Sequence, residues 1–196
     1  MDTTQMSWEK FLNPAVLRSN LVNISLFIAS YELFTDRIIE KPIELFSSGF
    51  NSNGPILDQE TYKKEVLSLA PKNKLVASML WFKTQDAISE CDLNTFYSVR
   101  VHRNELAHET IQFLSDAGKS FDVTKFHELL DLLTKIEKWW FVNFEAAIDP
   151  DMLPDGADAN DVIPGPVWAI QLMFDIALGN EPSEGHYYNM LKSLKT

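Results

Sequence analysis

A single cysteine, Cys91, is the only thiol in this chain of 196 residues. No intramolecular disulfide can form, which suits a reducing compartment. Long apolar runs are missing too. The most hydrophobic stretches, around Ile24–Ile28 and Val76–Phe82, are broken by polar residues well short of the ~20 needed to cross a bilayer. The opening Met1-Asp2-Thr3-Thr4-Gln5 lacks the basic start and apolar block of a secretory signal. The expectation is a cytoplasmic protein with no membrane partner. Basic residues are also scarce. There are 17 Lys and Arg against 28 Asp and Glu, a formal net charge of -11. This excludes a broad basic surface that tracks nucleic-acid backbones and predicts weak general affinity for RNA. A small basic pocket serving one phosphate remains compatible with it. No alternating strand pattern and no internal repeat are visible.

What is present is helical periodicity. The composition, 45% hydrophobic and 23% charged, is that of a globular domain able to bury a large core. The segment Trp8–Leu12 reads as a short leading turn. Asn13-Pro14 reads as a cap followed by proline at the first helical position. Apolar residues then recur as Leu17, Leu21, Ile24, Phe27, Tyr31, Phe34, Ile38 and Leu45, spacings that predict one long helix bent near Pro42. Ser47-Ser48-Gly49 and Asn51-Ser52-Asn53-Gly54-Pro55 read as loop. Asp58 is a cap for a helix over 59–69, and Pro71 opens the next. A helix capped between Ser89 and Asn94 is expected to run to about Ser115, and Gly118 ends it. Asp122 or Thr124 starts another, to Ile148. A second loop, Asp149 to Pro166, holds Pro150, Pro154, Pro164 and Pro166 with Asp149, Asp151, Asp155, Asp158 and Asp161. Pro166 starts a helix through Leu178, and a last one is expected from Ser183 to Leu194. The expected fold class is all-α: an up-and-down bundle over 1–148, an acidic proline-rich loop over 149–166, and C-terminal helices over 167–196 packed on the same domain.

One stretch of the core-forming pattern is interrupted by chemistry. On a helix over 93–114, Leu93, Phe96, Arg100, Arg103, Asn104, Ala107, Ile111 and Leu114 fall on one broad stripe, with His108 at its edge. Arg100, Asn104 and His108 stand one turn apart, so they line up. Arg103 lies around the helix from His108, so one copy does not aim both at one atom. Two copies facing across a two-fold axis do. These groups suit RNA cleavage without metal. A histidine near neutrality serves as general base for the ribose 2′-hydroxyl. Arginine offers a planar fork to the scissile phosphate as it gains charge. Asn104 orients the histidine or the ribose without adding charge.

Competing chemistries fit less well. Glu105-x-x-His108 has the spacing of a di-iron ligand pair, but none of His102, His127 and His186 has glutamate three residues before it. Gly118-Lys119-Ser120 echoes the end of a phosphate-binding loop, but Phe113 stands where the leading glycine belongs. The aspartates of 149–161 do not follow a calcium-loop spacing. Trp81-Phe82, Trp139-Trp140-Phe141 and Phe144 read as core or dimer interface rather than base-stacking platforms. Cys91 belongs to no nucleophile–base pattern. No metal or cofactor is expected.

Arg103-Asn104-x-x-x-His108 resembles the R-x4–6-H motif, with its frequent Asn after Arg, of the HEPN superfamily of small helical-bundle proteins. Leu26-Phe27-Ile28-Ala29-Ser30-Tyr31-Glu32-Leu33 looks like that family's long first helix, and 99–109 like its motif helix. The resemblance covers Pro14 to Ile148. It implies a metal-independent endoribonuclease with a composite site in a homodimer, set in a prokaryotic toxin–antitoxin, abortive-infection or other defence system. Products with a 2′,3′-cyclic phosphate and a 5′-hydroxyl are expected. His108 resembles the catalytic histidine, Arg103 the phosphate-binding arginine and Asn104 the supporting polar residue. Arg100 and His102 are second-rank phosphate contacts. The implied partners are RNA (tRNA among them), a second copy, and an antitoxin or regulatory protein. Thr110 stands where some family toxins carry a modified tyrosine, and Glu105 and Glu109 put negative charge beside the motif. The alternative is a catalytically inactive dimeric module of the same kind, whose acidic surface holds a protein partner.

Overall fold

The computed structural model describes residues 2–52, 54–153, 156–158 and 161–194. Asn53, Pro154 and Asp155, which belong to the two expected loops, lie outside them, as do Met1, Ala159, Asn160, Lys195 and Thr196. The chain is mostly helical. Helix α1 (Thr3–Leu12) is a full helix capped by Asp2, where only a short turn was expected over Trp8–Leu12. Its lack of a buried residue explains the weak signal. Asn13 then accepts from the backbone N–H groups of Ala15 and Val16, and Pro14 opens α2 (Pro14–Leu45). The two helices meet at 77°.

Helix α2 is the spine of the core. Ile24, Phe27, Tyr31, Phe34 and Ile38 repeat at alternating steps of three and four, and all are buried. The helix packs against α1 and against five helices introduced below. Pro42 lies inside α2 without ending it, close enough to the C-terminus that the chain continues only to Leu45. Among the described residues no single helix is long and apolar enough to cross a membrane; α1 and α2 pass that test of length and composition only as a bent pair.

The expected loop over 47–55 is instead a small antiparallel hairpin, β1 (Ser47–Asn51) with β2 (Gly54–Leu57). Ser47-Ser48-Gly49 gives no hydrophobic alternation, so the strand left no periodic trace. Asn53-Gly54 was the available signal, because Gly54 takes φ 113, a backbone shape that glycine adopts without strain. Asp58 caps α3 (Gln59–Glu65), and a 3-10 turn covers Leu67–Leu69. Asn73, rather than Pro71, caps α4 (Lys74–Thr84), accepting from Val76 N at 3.0 Å.

Ser89 and Asp92 form a reciprocal capping box at the start of α5 (Glu90–His108). The expected helix to Ser115 is in fact two. Glu109 leaves helical geometry at φ -119, ψ 21, and α6 runs from Thr110 to Ser115. The Thr110 hydroxyl donates to the Leu106 carbonyl, a local bond that competes with continuation of the helix. Asp122 caps α7 (Val123–Trp140), which passes into a π-helical turn (Phe141–Glu145) and α8 (Ala146–Ile148). Helix α9 (Gly165–Leu178) ends on Gly179 in the left-handed conformation, and α10 spans His186–Ser193. The partners of α2 beyond α1 are α4, α5, α6, α7 and α9. Val167 and Ile170 of α9 join the same core, and Phe174 stacks on Phe126 of α7 with ring centroids 4.1 Å apart. Trp81, Phe82 and Trp140 are buried in that core, with Trp139 and Phe144 packed against it.

Candidate functional site

The site residues all sit on α5, and the burial of that helix decides which way each points. Its buried positions are Leu93, Phe96, Val99, His102 and Leu106. That face differs from the expected stripe, because Val99, His102 and Leu106 replace Arg100, Asn104 and Ala107 at its centre. At about 100° per residue, Tyr97, Val101, Asn104 and His108 then share the outward face, and all four are exposed. Arg100 and Arg103 lie on the flank toward α2, both half-buried. Arg103 and His108 are separated by about 140° around the axis, as the spacing predicts.

On the α2 flank, Arg103 is held. Its Nη2 donates to Glu32 Oε1 at 2.6 Å, and its guanidinium carbon lies 5.7 Å from the Tyr31 ring centroid. Its Nε is buried and has no hydrogen-bond partner among the described residues. Arg100 stands near enough to Tyr31 to act on it electrostatically. Burial raises the Tyr31 phenol above its ordinary value, and the charges of Arg100 and Arg103 pull it back. The structure therefore joins Arg100 and Arg103 to Tyr31 and Glu32, two residues that sequence reading left out of the site. Tyr31 read as core, and nothing local in the sequence pairs Glu32 with a residue 71 positions away.

Asn104 and His108 are different. Neither side chain makes a hydrogen bond or ion pair among the described residues, and His108 is the last residue of α5. Beside them stand exposed apolar side chains, Val101 at 57% and Ile111 of α6 at 70% exposure. A cavity of about 460 Å³ lies between α1 and α6, lined by Trp8, Phe11 and Ile111. A second, of about 500 Å³, lies beyond His102. Neither includes Arg103, Asn104 or His108. On one chain Asn104 and His108 lie on exposed surface outside both cavities, and Arg103 is half-buried on the flank.

His102 does not join the motif. It is 7% exposed and packed edge-on to Phe27 at 5.3 Å and Phe113 at 6.1 Å, with Phe121 at 5.8 Å. Its Nδ1 lies 3.8 Å from Glu105 Oε2, and its Nε2 has no hydrogen-bond partner among the described residues. The expected phosphate contact is withdrawn on this geometry, since a buried imidazole beside a carboxylate is a poor anion ligand. Burial pushes its pKa below the ordinary value, and Asp122 and Glu105 oppose that only in part. The folded state thus takes up this proton less readily than the unfolded chain. Stability is lost as pH falls below the unfolded imidazole's value of about 6.5 toward the lower folded one. His102→Phe, which suits the aromatic surroundings and removes the orphan nitrogen, is expected to flatten that loss. Urea titrations at pH 7 and pH 5 check it. Parallel changes in both proteins would reject it.

No family model matches the chain, and neither does any curated protein or solved structure.

Proposed function

We propose that this chain is a HEPN-like, metal-independent endoribonuclease whose active site forms when two copies bring their α5 helices together. The observation that carries the reading is the split of the motif. Asn104 and His108 project from an exposed face without side-chain partners among the described residues, while Arg103 sits on a flank about 140° away. A facing copy supplies the missing wall, and its Arg103 reaches the phosphate whose 2′-hydroxyl is served by His108. Exposed Tyr97, Val101 and Ile111 give that contact apolar surface to bury. A prokaryotic defence or toxin setting, an antitoxin partner and cytoplasmic location complete the proposal.

The same geometry assigns a competitor for the substrate. Glu32 holds Nη2 of Arg103, and a phosphate taking that edge of the guanidinium competes with it. The pair is about half exposed on the glutamate side, so it is worth at most ~1 kcal/mol, and the exchange is affordable. Glu32→Gln is expected to lower KM for RNA several-fold with little change in melting temperature. A raised KM would show that Glu32 serves the site rather than competing for it.

The Arg103–Glu32 pair also supports the second reading, a dimer in which the motif is structural. RNA cleavage by purified protein in EDTA separates the two. Activity that persists with the chelator and is lost in His108→Ala supports the ribonuclease, and absence of any cleavage favours the binding module.

A further inference from the structure

The second cleft, on the side of α5 away from Arg103, has a chemistry of its own. Its volume is about 500 Å³, within the range that takes a small organic group. Glu105, Glu109 and Asp122 line it with one cation, Lys119, so three carboxylates against one ammonium leave two negative charges. Phe113 and Phe121 supply aromatic wall. His102 is part of the lining, with Nδ1 3.8 Å from Glu105 Oε2 and a buried Nε2 that has no hydrogen-bond partner among the described residues.

The chain already shows how this cleft treats a cation. Lys119 pairs with Glu109, and its Nζ lies 5.4 Å from the Phe113 ring centroid, which is both a carboxylate contact and a cation–π contact. Lys119 is held in place because the turn carrying it is pinned from α1. Lys10 donates to the carbonyls of Asp116 and Lys119, and Ala117 N donates to Ser7 Oγ. Glu105 is half exposed, and among the described residues its carboxylate contacts His102 only. A metal ion does not fit the arrangement, because among the described residues no three His, Cys, Asp or Glu side chains are placed to hold one. The acidic groups are spread along the cleft, which suits an extended cation with several N–H donors.

We propose that the cleft between α5 and the 116–122 turn binds an organic cation, a guanidinium or alkylammonium group on an apolar stem, with Glu105 as its main anion and Phe121 as its aromatic wall. This does not rest on the ribonuclease reading, since it uses none of Arg103, Asn104 and His108. The source is either a basic side chain of a protein or a free polyamine.

The test titrates the full-length protein with agmatine, with spermidine and with calcium chloride, followed by calorimetry and by the imidazole NMR signals. Saturable binding of agmatine or spermidine at one site per chain is expected, with the His102 signal moving most. Agmatine binding favours a guanidinium source and spermidine a polyamine source. Glu105→Gln is expected to weaken binding at least ten-fold, while Glu60→Gln, an equal charge change on the surface of α3, leaves it within two-fold. The proposal is overturned by absence of saturable binding of both amines. It is equally overturned if the two variants weaken binding alike, which marks general attraction to an acidic chain, or if calcium moves the His102 signal more than either amine does. The amide spectrum of Glu105→Gln establishes that the variant is folded.

Discussion

His108→Ala is expected to lower RNA cleavage by about 10²–10⁴-fold, the range in which a lost general acid–base group falls. Its melting temperature should stay close to the parent's. Both halves of that expectation come from the position of His108. It is exposed, terminates α5, and makes no side-chain hydrogen bond among the described residues, so truncation removes no packing. Substitutions at such surface positions usually change stability by less than about 0.5 kcal/mol. The contrast with Arg103→Ala is informative. That change removes the Glu32 pair and the stacking on Tyr31, so it is expected to reduce both cleavage and stability. Cleavage by His108→Ala at the parental rate, measured on single-stranded RNA or tRNA, would defeat the assignment of the base.

Lys41→Ala should be among the most destabilising single changes in the chain, at about 3 kcal/mol. Lys41 is 1% exposed and lies in the core of α2. Its Nζ is 3.5 Å from Glu137 Oε2, 3.1 Å from Glu145 Oε1 and 4.9 Å from the Trp140 ring centroid. Glu137 of α7 is buried as well, and Arg37 Nε donates to its other oxygen at 3.0 Å. Removing the ammonium leaves Glu137 with Arg37 alone, which sets the loss at the low end of the ~3–5 kcal/mol typical of a broken buried pair. Glu145 is freer to turn to water, since its side chain is 40% exposed. For a chain of this size the loss corresponds to a melting temperature lower by roughly 6–12 °C. Adding Glu137→Gln to Lys41→Met is expected to recover much of the stability, because both charge and volume are then matched. If Lys41→Ala melts with the parent, the network is not holding α2 to α7. The π-helical turn has a part in this network, since it carries Glu145 to the Lys41 ammonium.

Much of this architecture could be read from sequence where a local rule applied. Asn13-Pro14, Asp58 and a cap between Ser89 and Asn94 each mark a helix start by chemistry confined to a few residues, and each does so in the structure, with Asp122 the cap where Asp122 or Thr124 was expected. The periodicity of α2 is equally local. What was misread depends on distant neighbours. Helix α1 buries no residue of its own, so it lacks an apolar stripe, yet Lys10 and Ser7 fasten it to the 116–119 turn. His102 reads as a polar residue near a motif, but Phe27, Phe113 and Phe121 arrive from other segments and make it core. Once His102 is inside, the whole face of α5 turns, carrying Asn104 and His108 outward and Arg103 toward Glu32. The alignment of Asn104 with His108 and the offset of Arg103 follow from helical geometry alone and were legible. Tyr31 and Glu32 were not, because their role exists only after α2 and α5 pack.

The central claim is that Arg103 and His108 act across two copies of the chain. Mixing purified Arg103→Ala with His108→Ala tests it most directly. Each variant alone is expected to be inactive. After exchange, about half of a random mixture is heterodimer, and each heterodimer has one intact Arg103 facing one intact His108 from the other copy. Cleavage is expected to reappear, at a level that rises with the measured heterodimer fraction. Heterodimers that form and remain as inactive as the two parents would contradict it, as would full activity from a wild-type protein shown to be monomeric under the assay conditions.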